Sequence, residues 1–156
     1  MVPRDFIKTA EDLLDSTTGK PRQSNLRRAT STAYYALFHT LAKSCADLMV
    51  GGDGAVRSEA AWGQVYRALE HAFAKNACKN STLIIQFPKE IQDFANMFVQ
   101  MQEKRHRADY DPNEKFLKSA VANDISGVEV AIDDFYKAPI SDRRAFATLV
   151  LFKMRN

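Results

Sequence analysis

The sequence has few cysteines, little glycine and no long apolar run. Cys45 and Cys78 are its only cysteines, and they form no Cys-x-x-Cys or Cys/His ligand spacing. Buried thiols are therefore favoured over a disulfide or a zinc site. The apolar runs fall well short of the ~20 residues that a membrane helix needs, and the first residues lack the pattern of a signal peptide. We expect a cytoplasmic protein without a membrane span, metal or cofactor.

Neither positive nor negative charge dominates the sequence. Its 156 residues include 22 Lys and Arg against 19 Asp and Glu, which gives a net charge of +3, and 46% of them are hydrophobic. This balance is ordinary for one globular domain with a sizeable core, and it argues against disorder. The weak positive charge permits an anionic partner but is lower than in dedicated nucleic-acid modules.

Apolar residues recur at spacings of three and four along most of the chain, which predicts α-helices. Proline, small polar residues and glycine provide the start and stop signals. Five helices are predicted to begin near Pro3, Ser24 or Asn25, Ser58, Pro88 and Asn113, and to end near Thr17, Gly51, Asn76, Asp111 and Tyr136.

Two segments are ambiguous. The stretch from Leu83 to Phe87 has a weak strand pattern, but a lone strand has no ladder partner, so a buried connection is favoured. After Pro139 the apolar residues alternate as in a strand, yet Ser141 can cap a helix, and we predict a helix. The fold class is thus an all-α, compact up-and-down bundle of five or six helices. Residues 1–139 form the bundle, and residues 140–156 are an extension packed on it or in an oligomer interface.

Ionisable side chains are concentrated at the end of the fourth predicted helix. Residues four apart share a helix face, so Arg105 faces Asp109 and His106 faces Tyr110. Arg105 and His106 point about 100° apart. Cations at a helix C-terminus also stabilise it by about 0.3–1 kcal/mol each. The spacing leaves open whether this segment carries chemistry or closes the helix. It reads Arg105-His106-Arg107-Ala108-Asp109-Tyr110-Asp111-Pro112.

The second predicted helix carries a polar stripe opposite its apolar face. A histidine at the end of such a stripe is more often a hydrogen-bonded structural residue than a general base, unless a second basic cluster faces it. His71, four residues after Arg67, is predicted to lie on a solvated face. The stripe consists of Arg28, Thr32, Tyr35 and His39.

Together, these two segments resemble the HEPN superfamily. The resemblance is to small prokaryotic proteins whose second helix reads R-x-A-x-x-x-A-Y-Y-A-x-F-H and whose fourth ends in R-x-x-A-D-Y-D-P. It extends over roughly residues 3 to 136, with motifs at Leu26–His39 and Arg105–Pro112. The resemblance implies a helical homodimer, often encoded beside a small nucleotidyltransferase as a toxin and antitoxin pair.

Many HEPN proteins are metal-independent endoribonucleases, with Arg, four to six residues and then His, contributed by two protomers. One group takes the ribose 2′-OH proton, another protonates the departing 5′ oxygen, and a cation stabilises the charge that develops on phosphorus. This sequence departs from that signature, because the three positions at which the histidine would follow Arg105 are occupied by Tyr110, Asp111 and Pro112.

Two functions follow as hypotheses. In the first, the protein is a HEPN-like component of a toxin–antitoxin or defence system. It binds RNA or a nucleotide, and metal-independent ribonuclease activity is an additional part of this hypothesis. In the second, it is a non-catalytic dimeric module that partners a nucleotidyltransferase, with Arg105 and Asp109 as a structural pair. A helical adaptor unrelated to nucleic acids is a third alternative. The first assigns catalysis to Arg105, His106 and Tyr110, phosphate binding to Arg27, Arg28, Lys104 and Arg107, and support to Tyr35, His39 and Asp109.

Overall fold

The structure is a computed structural model that describes residues 2–16 and 18–156. Thr17, where the first helix was predicted to end, lies outside the described residues. The described chain is all-helical and contains no strand. Its helices are α1 (Pro3–Asp15), α2 (Gln23–Met49), α3 (Glu59–Ala68), α4 (His71–Lys79), α5 (Ser81–Ile84), α6 (Lys89–Tyr110), α7 (Lys118–Phe135) and α8 (Ile140–Leu151).

Helix α2 is the centre of the bundle. It is 27 residues long and contacts α1, α3, α6, α7 and α8. Ala29, Ala33 and Ala36 are fully buried, and such small side chains let neighbouring helices approach closely. Tyr34 and Leu37 are also fully buried. In its polar stripe, Thr32, Tyr35 and His39 are half-buried, whereas Arg28 is exposed.

Residues 2–16 and 18–156 form eight helices where five or six were predicted. The third predicted helix is divided into α3 and α4, because Leu69 and Glu70 are extended with ψ of 126° and 137°. Leu69 is only 5% exposed, so the break turns its side chain into the core. The ambiguous stretch after Asn80 contains the short helix α5, whose first turn is capped by the Asn80 side chain.

Three predicted helix starts also differ. Helix α2 begins at Gln23, so Ser24 and Asn25 lie inside the helix and neither caps it. Helix α7 begins at Lys118 instead of Asn113, because the Asn113 amide donates to the Asp111 side chain in the turn that follows α6. Helix α8 begins at Ile140 after Pro139, so Ser141 lies inside the helix and does not cap it.

Helix α8 contributes to the core of the bundle. Phe146 is fully buried, and its ring centre lies 5.7 Å from that of Phe87, 6.3 Å from Phe94 and 6.1 Å from Phe135. Since α8 contacts α2 and α4, these residues pack against the same core as the preceding helices.

The two cysteines are buried and free, as predicted. Burial raises the pKa of Cys45 to about 12, so this thiol stays protonated at neutral pH. Among the described residues, no helix combines the length and apolar character that crossing a membrane requires.

Candidate functional site

Arg27 of α2 caps the C-terminal end of α6. Its guanidinium donates to the carbonyl of Ala108 over 2.9 Å and to that of Asp111 over 2.8 Å, and it also bonds the carbonyl of Glu114. The charge lies 5.5 Å from the centre of the Phe116 ring. Because the last carbonyls of a helix lack intrahelical partners, these bonds satisfy them and tie α6 to α2. Arg27 therefore has internal acceptors at the position where a phosphate contact was predicted.

The other predicted phosphate ligands differ in their surroundings. The Lys104 ammonium lies 2.7 Å from the Asp124 carboxylate of α7, and Arg107 Nε lies 3.6 Å from Glu114. Arg28 is exposed and forms no hydrogen bond or ion pair within the described part of the chain. Among these four cations, Arg28 is the one whose guanidinium has no protein acceptor there.

Arg105 points into the bundle from α6. Its side chain is 12% exposed, with Nη1 3.4 Å from Asp109 Oδ2. The guanidinium carbon lies 5.3 Å and 5.9 Å from the ring centres of Tyr34 and Tyr35. Asp109 also accepts a 2.6 Å hydrogen bond from the Ser31 hydroxyl. Arg105 Nε is buried without a hydrogen-bond partner, which typically costs about 1–3 kcal/mol. Most buried polar groups in proteins have a hydrogen-bond partner, so this donor is an exception.

His106 and Tyr110 point outward from the same helix. Both are exposed, and their ring centres are 4.9 Å apart, as the four-residue spacing predicted. His106 borders a shallow hollow with Lys75 of α4. In the described structure, no side-chain hydrogen bond, ion pair or ring contact joins His106 to Arg105. Within this chain, the three predicted catalytic residues are therefore divided between an inner and an outer face of α6.

His71 was predicted to lie on a solvated face, and that prediction is wrong. It is half-buried at the start of α4, with Nδ1 2.6 Å from the Tyr34 hydroxyl. Its ring stacks on Phe38 with centres 4.0 Å apart. Burial lowers the pKa of His71, and the charges of Arg105 and His39 lower it further. The imidazole is therefore neutral at pH 7.

His39 is the histidine of the predicted polar stripe. Its Nδ1 lies 2.6 Å from the Tyr66 hydroxyl, and its ring stacks on Phe6 with centres 5.0 Å apart. Burial is the main cause that lowers the pKa of His39. The hydrogen bond agrees with the structural role that its position in the stripe favoured.

Tyr35 lies between these groups. Its ring centre is 6.1 Å from that of His39, 6.2 Å from that of His71 and 5.9 Å from the guanidinium carbon of Arg105. We call these four residues the Tyr35 cluster. Tyr35 is half-buried and borders a shallow surface hollow together with Arg28.

The Tyr35 cluster combines a cation with two neutral bases. Each imidazole uses Nδ1 for a tyrosine hydroxyl, and Nε2 of both rings has no hydrogen bond in the described structure. A guanidinium stabilises negative charge, and a neutral imidazole accepts a proton or donates a hydrogen bond. This arrangement suits an anionic ligand that also carries hydroxyl groups.

Metal ligands and known relatives give no further indication of function. Across residues 2–16 and 18–156, no three His, Cys, Asp or Glu side chains are grouped as a metal site. The chain matches no protein-family model, no curated protein and no solved structure. The HEPN resemblance thus depends on the two sequence motifs, and the chemistry of the site depends on the Tyr35 cluster.

Proposed function

We propose that this protein is the HEPN-like component of a prokaryotic toxin–antitoxin or defence system, and that it binds RNA or a nucleotide at the Tyr35 cluster. One observation carries the proposal: Arg105, His39 and His71 all approach Tyr35 to about 6 Å. The two HEPN-like segments supply three of these residues, and α4 adds His71. The kind of system comes from the resemblance, whereas the class of ligand comes from the chemistry of the cluster.

The proposed ligand is held through its phosphate and its base. Arg105 binds the phosphate, because a guanidinium presents several donors to a phosphate group. Arg28 adds a second cation at the rim of the neighbouring hollow. The Tyr35 ring offers a stacking surface for a base, an interaction that is tolerant of sequence. Because binding neutralises phosphates, the affinity for RNA falls as salt is raised.

The cluster also has the groups for RNA cleavage without a metal. A neutral imidazole takes the ribose 2′-OH proton, and the 2′ oxygen attacks phosphorus while the bond to the 5′ oxygen breaks. A protonated imidazole gives its proton to that 5′ oxygen, which yields a cyclic phosphate and a free 5′-OH. Arg105 stabilises the charge on phosphorus. His71 takes the role of the histidine that the motif lacks. Since the pKa values of His39 and His71 are both lowered, cleavage is expected to be faster below pH 7.

The internal contacts of Arg27 and Arg105 favour a second candidate, a non-catalytic dimeric module that partners a small nucleotidyltransferase. Arg27 bonds backbone carbonyls and Arg105 faces Asp109. The Arg27 bonds join α2 to the end of α6, the Arg105–Asp109 pair lies within α6, and neither contact requires a ligand. In this alternative, the Arg105–Pro112 segment has a purely structural role within this chain.

The experiment that separates the candidates is incubation of the purified protein with mixed RNA in a chelator. Wild type is compared with Arg105→Met, His71→Asn and, as a matched control, His106→Ala on the outer face of α6. We expect loss of binding in Arg105→Met, a fall in cleavage of about 100-fold in His71→Asn, and no change in the control. Circular dichroism confirms that each variant folds.

Each result has a distinct meaning. RNA binding without cleavage retains the proposed ligand and removes the ribonuclease chemistry. Equal cleavage by all four proteins contradicts the assignment to the Tyr35 cluster. Absence of binding to both RNA and nucleotides contradicts the proposed function and favours the interaction module.

A further inference from the structure

A groove of about 810 Å³ is bordered by α4, α5, α8 and the residues that follow α8. Leu83 and Leu149 line it and are half-buried. Phe152 and Met154 also line it, and they are 52% and 79% exposed. Apolar side chains that are exposed together, rather than singly, mark interaction sites. The groove shares no residue with the Tyr35 cluster, so it is a separate surface that calls for its own occupant.

Helix α8 has two apolar sides, and only one of them packs in the core. Phe146 and Val150 are fully buried. Ala145, Leu149 and Phe152 line the groove, and their spacing of four and three places them along one side of the helix. The groove therefore has one wall whose apolar residues follow the helical repeat.

Helix α4 forms a second wall with the same repeat. Phe73, Ala77 and Asn80 line the groove at spacings of four and three, and α4 contacts α8. Two helices in contact leave a groove into which the side chains of a third helix pack. An amphipathic helix that lays its apolar side into such a groove is a common form of recognition.

The two ends of the groove have opposite charges. Asp142 lies in the first turn of α8, and Lys153 lies two residues after its end. The helix between Asp142 and Leu151 is about 14 Å long. Asp142 and Lys153 both border the groove, and neither side chain has a hydrogen bond or an ion pair within the described residues. A helix with a cation at one end of its apolar stripe and an anion at the other end pairs with both. A fatty acid pairs with Lys153 alone and leaves its apolar end beside Asp142.

We propose that this groove is the docking surface for an amphipathic helix of a partner protein, with a basic residue opposite Asp142 and an acidic residue opposite Lys153. The partner helix needs about three turns to reach both charges. Its contact area falls at the low end of protein interfaces, so the complex is expected to be transient. The proposal depends neither on RNA binding nor on the HEPN resemblance, which ends before α8.

The test is binding of two labelled, designed helical peptides to the full chain, measured by fluorescence anisotropy. Both peptides have leucines at spacings of four and three. The Lys/Glu peptide has lysine at one end of this stripe and glutamate at the other, and the Glu/Glu peptide has glutamate at both ends. Wild type is expected to bind the Lys/Glu peptide about fivefold more tightly. Asp142→Lys makes both ends of the groove basic and is expected to reverse this preference. Glu11→Lys makes the same charge change on an exposed residue of α1 and is the control.

The apolar part of the groove is tested by Phe152→Ala. This variant is expected to bind the Lys/Glu peptide about tenfold more weakly, because a large side chain is lost from the contact. Leu117→Ala removes a side chain that is 66% exposed outside the groove and serves as the matched control. Circular dichroism and thermal unfolding show whether the variants fold. RNA binding by Phe152→Ala is expected to equal that of wild type, so failure of this proposal is distinguishable from failure of the proposed function.

Absence of binding to the Lys/Glu peptide overturns the proposal. Equal affinity of wild type for both peptides overturns it too, as does binding that Asp142→Lys and Phe152→Ala leave unchanged. Dodecanoate binding that Phe152→Ala weakens, without binding of either peptide, would assign the groove to an acyl ligand. Self-association that Phe152→Ala abolishes, again without peptide binding, would assign it to a second copy of the chain.

Discussion

Adjacent arginines in this protein have different roles. Arg27 bonds the last carbonyls of α6, while Arg28 beside it is exposed. Arg105 is packed against Tyr34 and the next residue, His106, is exposed on the outer face. The cause is the rotation of about 100° per residue in a helix. A basic run in the sequence therefore divides into an internal and an external set once the helix is packed.

The two neighbouring arginines of α2 provide a matched pair for stability. Arg27→Ala removes charged donors from several carbonyls and is expected to lower the free energy of unfolding by about 3 kcal/mol. Arg28→Ala changes an exposed side chain and is expected to stay within about 0.5 kcal/mol of wild type. Urea unfolding measures both. Similar values for the two variants would contradict the structural role of Arg27.

The half-buried His71 makes stability depend on pH. Its pKa is lowered in the folded protein, chiefly by burial, so the unfolded chain binds a proton more readily. The free energy of unfolding is therefore expected to decrease as pH falls through about 6.5, the unfolded value for histidine. His71→Asn keeps a hydrogen-bonding group near Tyr34 and removes the titration, which should reduce this slope, and His106→Asn is the control. An unchanged slope in His71→Asn would count against the described environment.

Contacts between two side chains were predictable where both residues lie on one helix. The spacing of four correctly paired Arg105 with Asp109 and His106 with Tyr110. The bond between His71 and Tyr34 joins residues 37 positions apart. No local spacing indicates such a contact, because it forms only when α4 packs against α2.

At the scale of elements, the long helices α2 and α6 were predictable from apolar periodicity and from their end signals. The break between α3 and α4 was not predictable, since Leu69 fits the helical pattern of apolar residues. Its backbone is extended in the structure, and its side chain is buried in the core. The segment of α8 was ambiguous because its apolar residues fit both periods. In the structure the segment is helical, and Phe146 packs among three other aromatic rings.

The importance of α8 is tested by two phenylalanines near the end of the chain. Phe146 is fully buried, whereas Phe152 is 52% exposed. Phe146→Ala is expected to lower the free energy of unfolding by about 3–5 kcal/mol, because it leaves a cavity in the core. Phe152→Ala is expected to change it by less than about 1 kcal/mol. Chemical denaturation measures the free energy of unfolding of both variants. An equal decrease in the two would show that α8 is not packed as described.

For the whole molecule, α2 and α6 supply the framework of the proposed site, and α4 adds a histidine that neither sequence motif contains. The proposed function depends on this combination. Arg105 by itself lies beside Asp109, Tyr34 and Tyr35, and the proton-transfer groups come from the histidines. The sequence motifs predicted that α2 and α6 belong to one site. The contribution of α4 could not be predicted, since it arises from the packing of three helices.

The three histidines of the chain allow the central claim to be measured directly by NMR spectroscopy. A short single-stranded RNA is titrated into the protein in a chelator, and the ring resonances are assigned with the variants His39→Asn, His71→Asn and His106→Asn. Binding at the Tyr35 cluster predicts saturable shifts of the His39 and His71 resonances, while that of His106 stays in place. A shift confined to His106, or no shift of any histidine, would contradict the account.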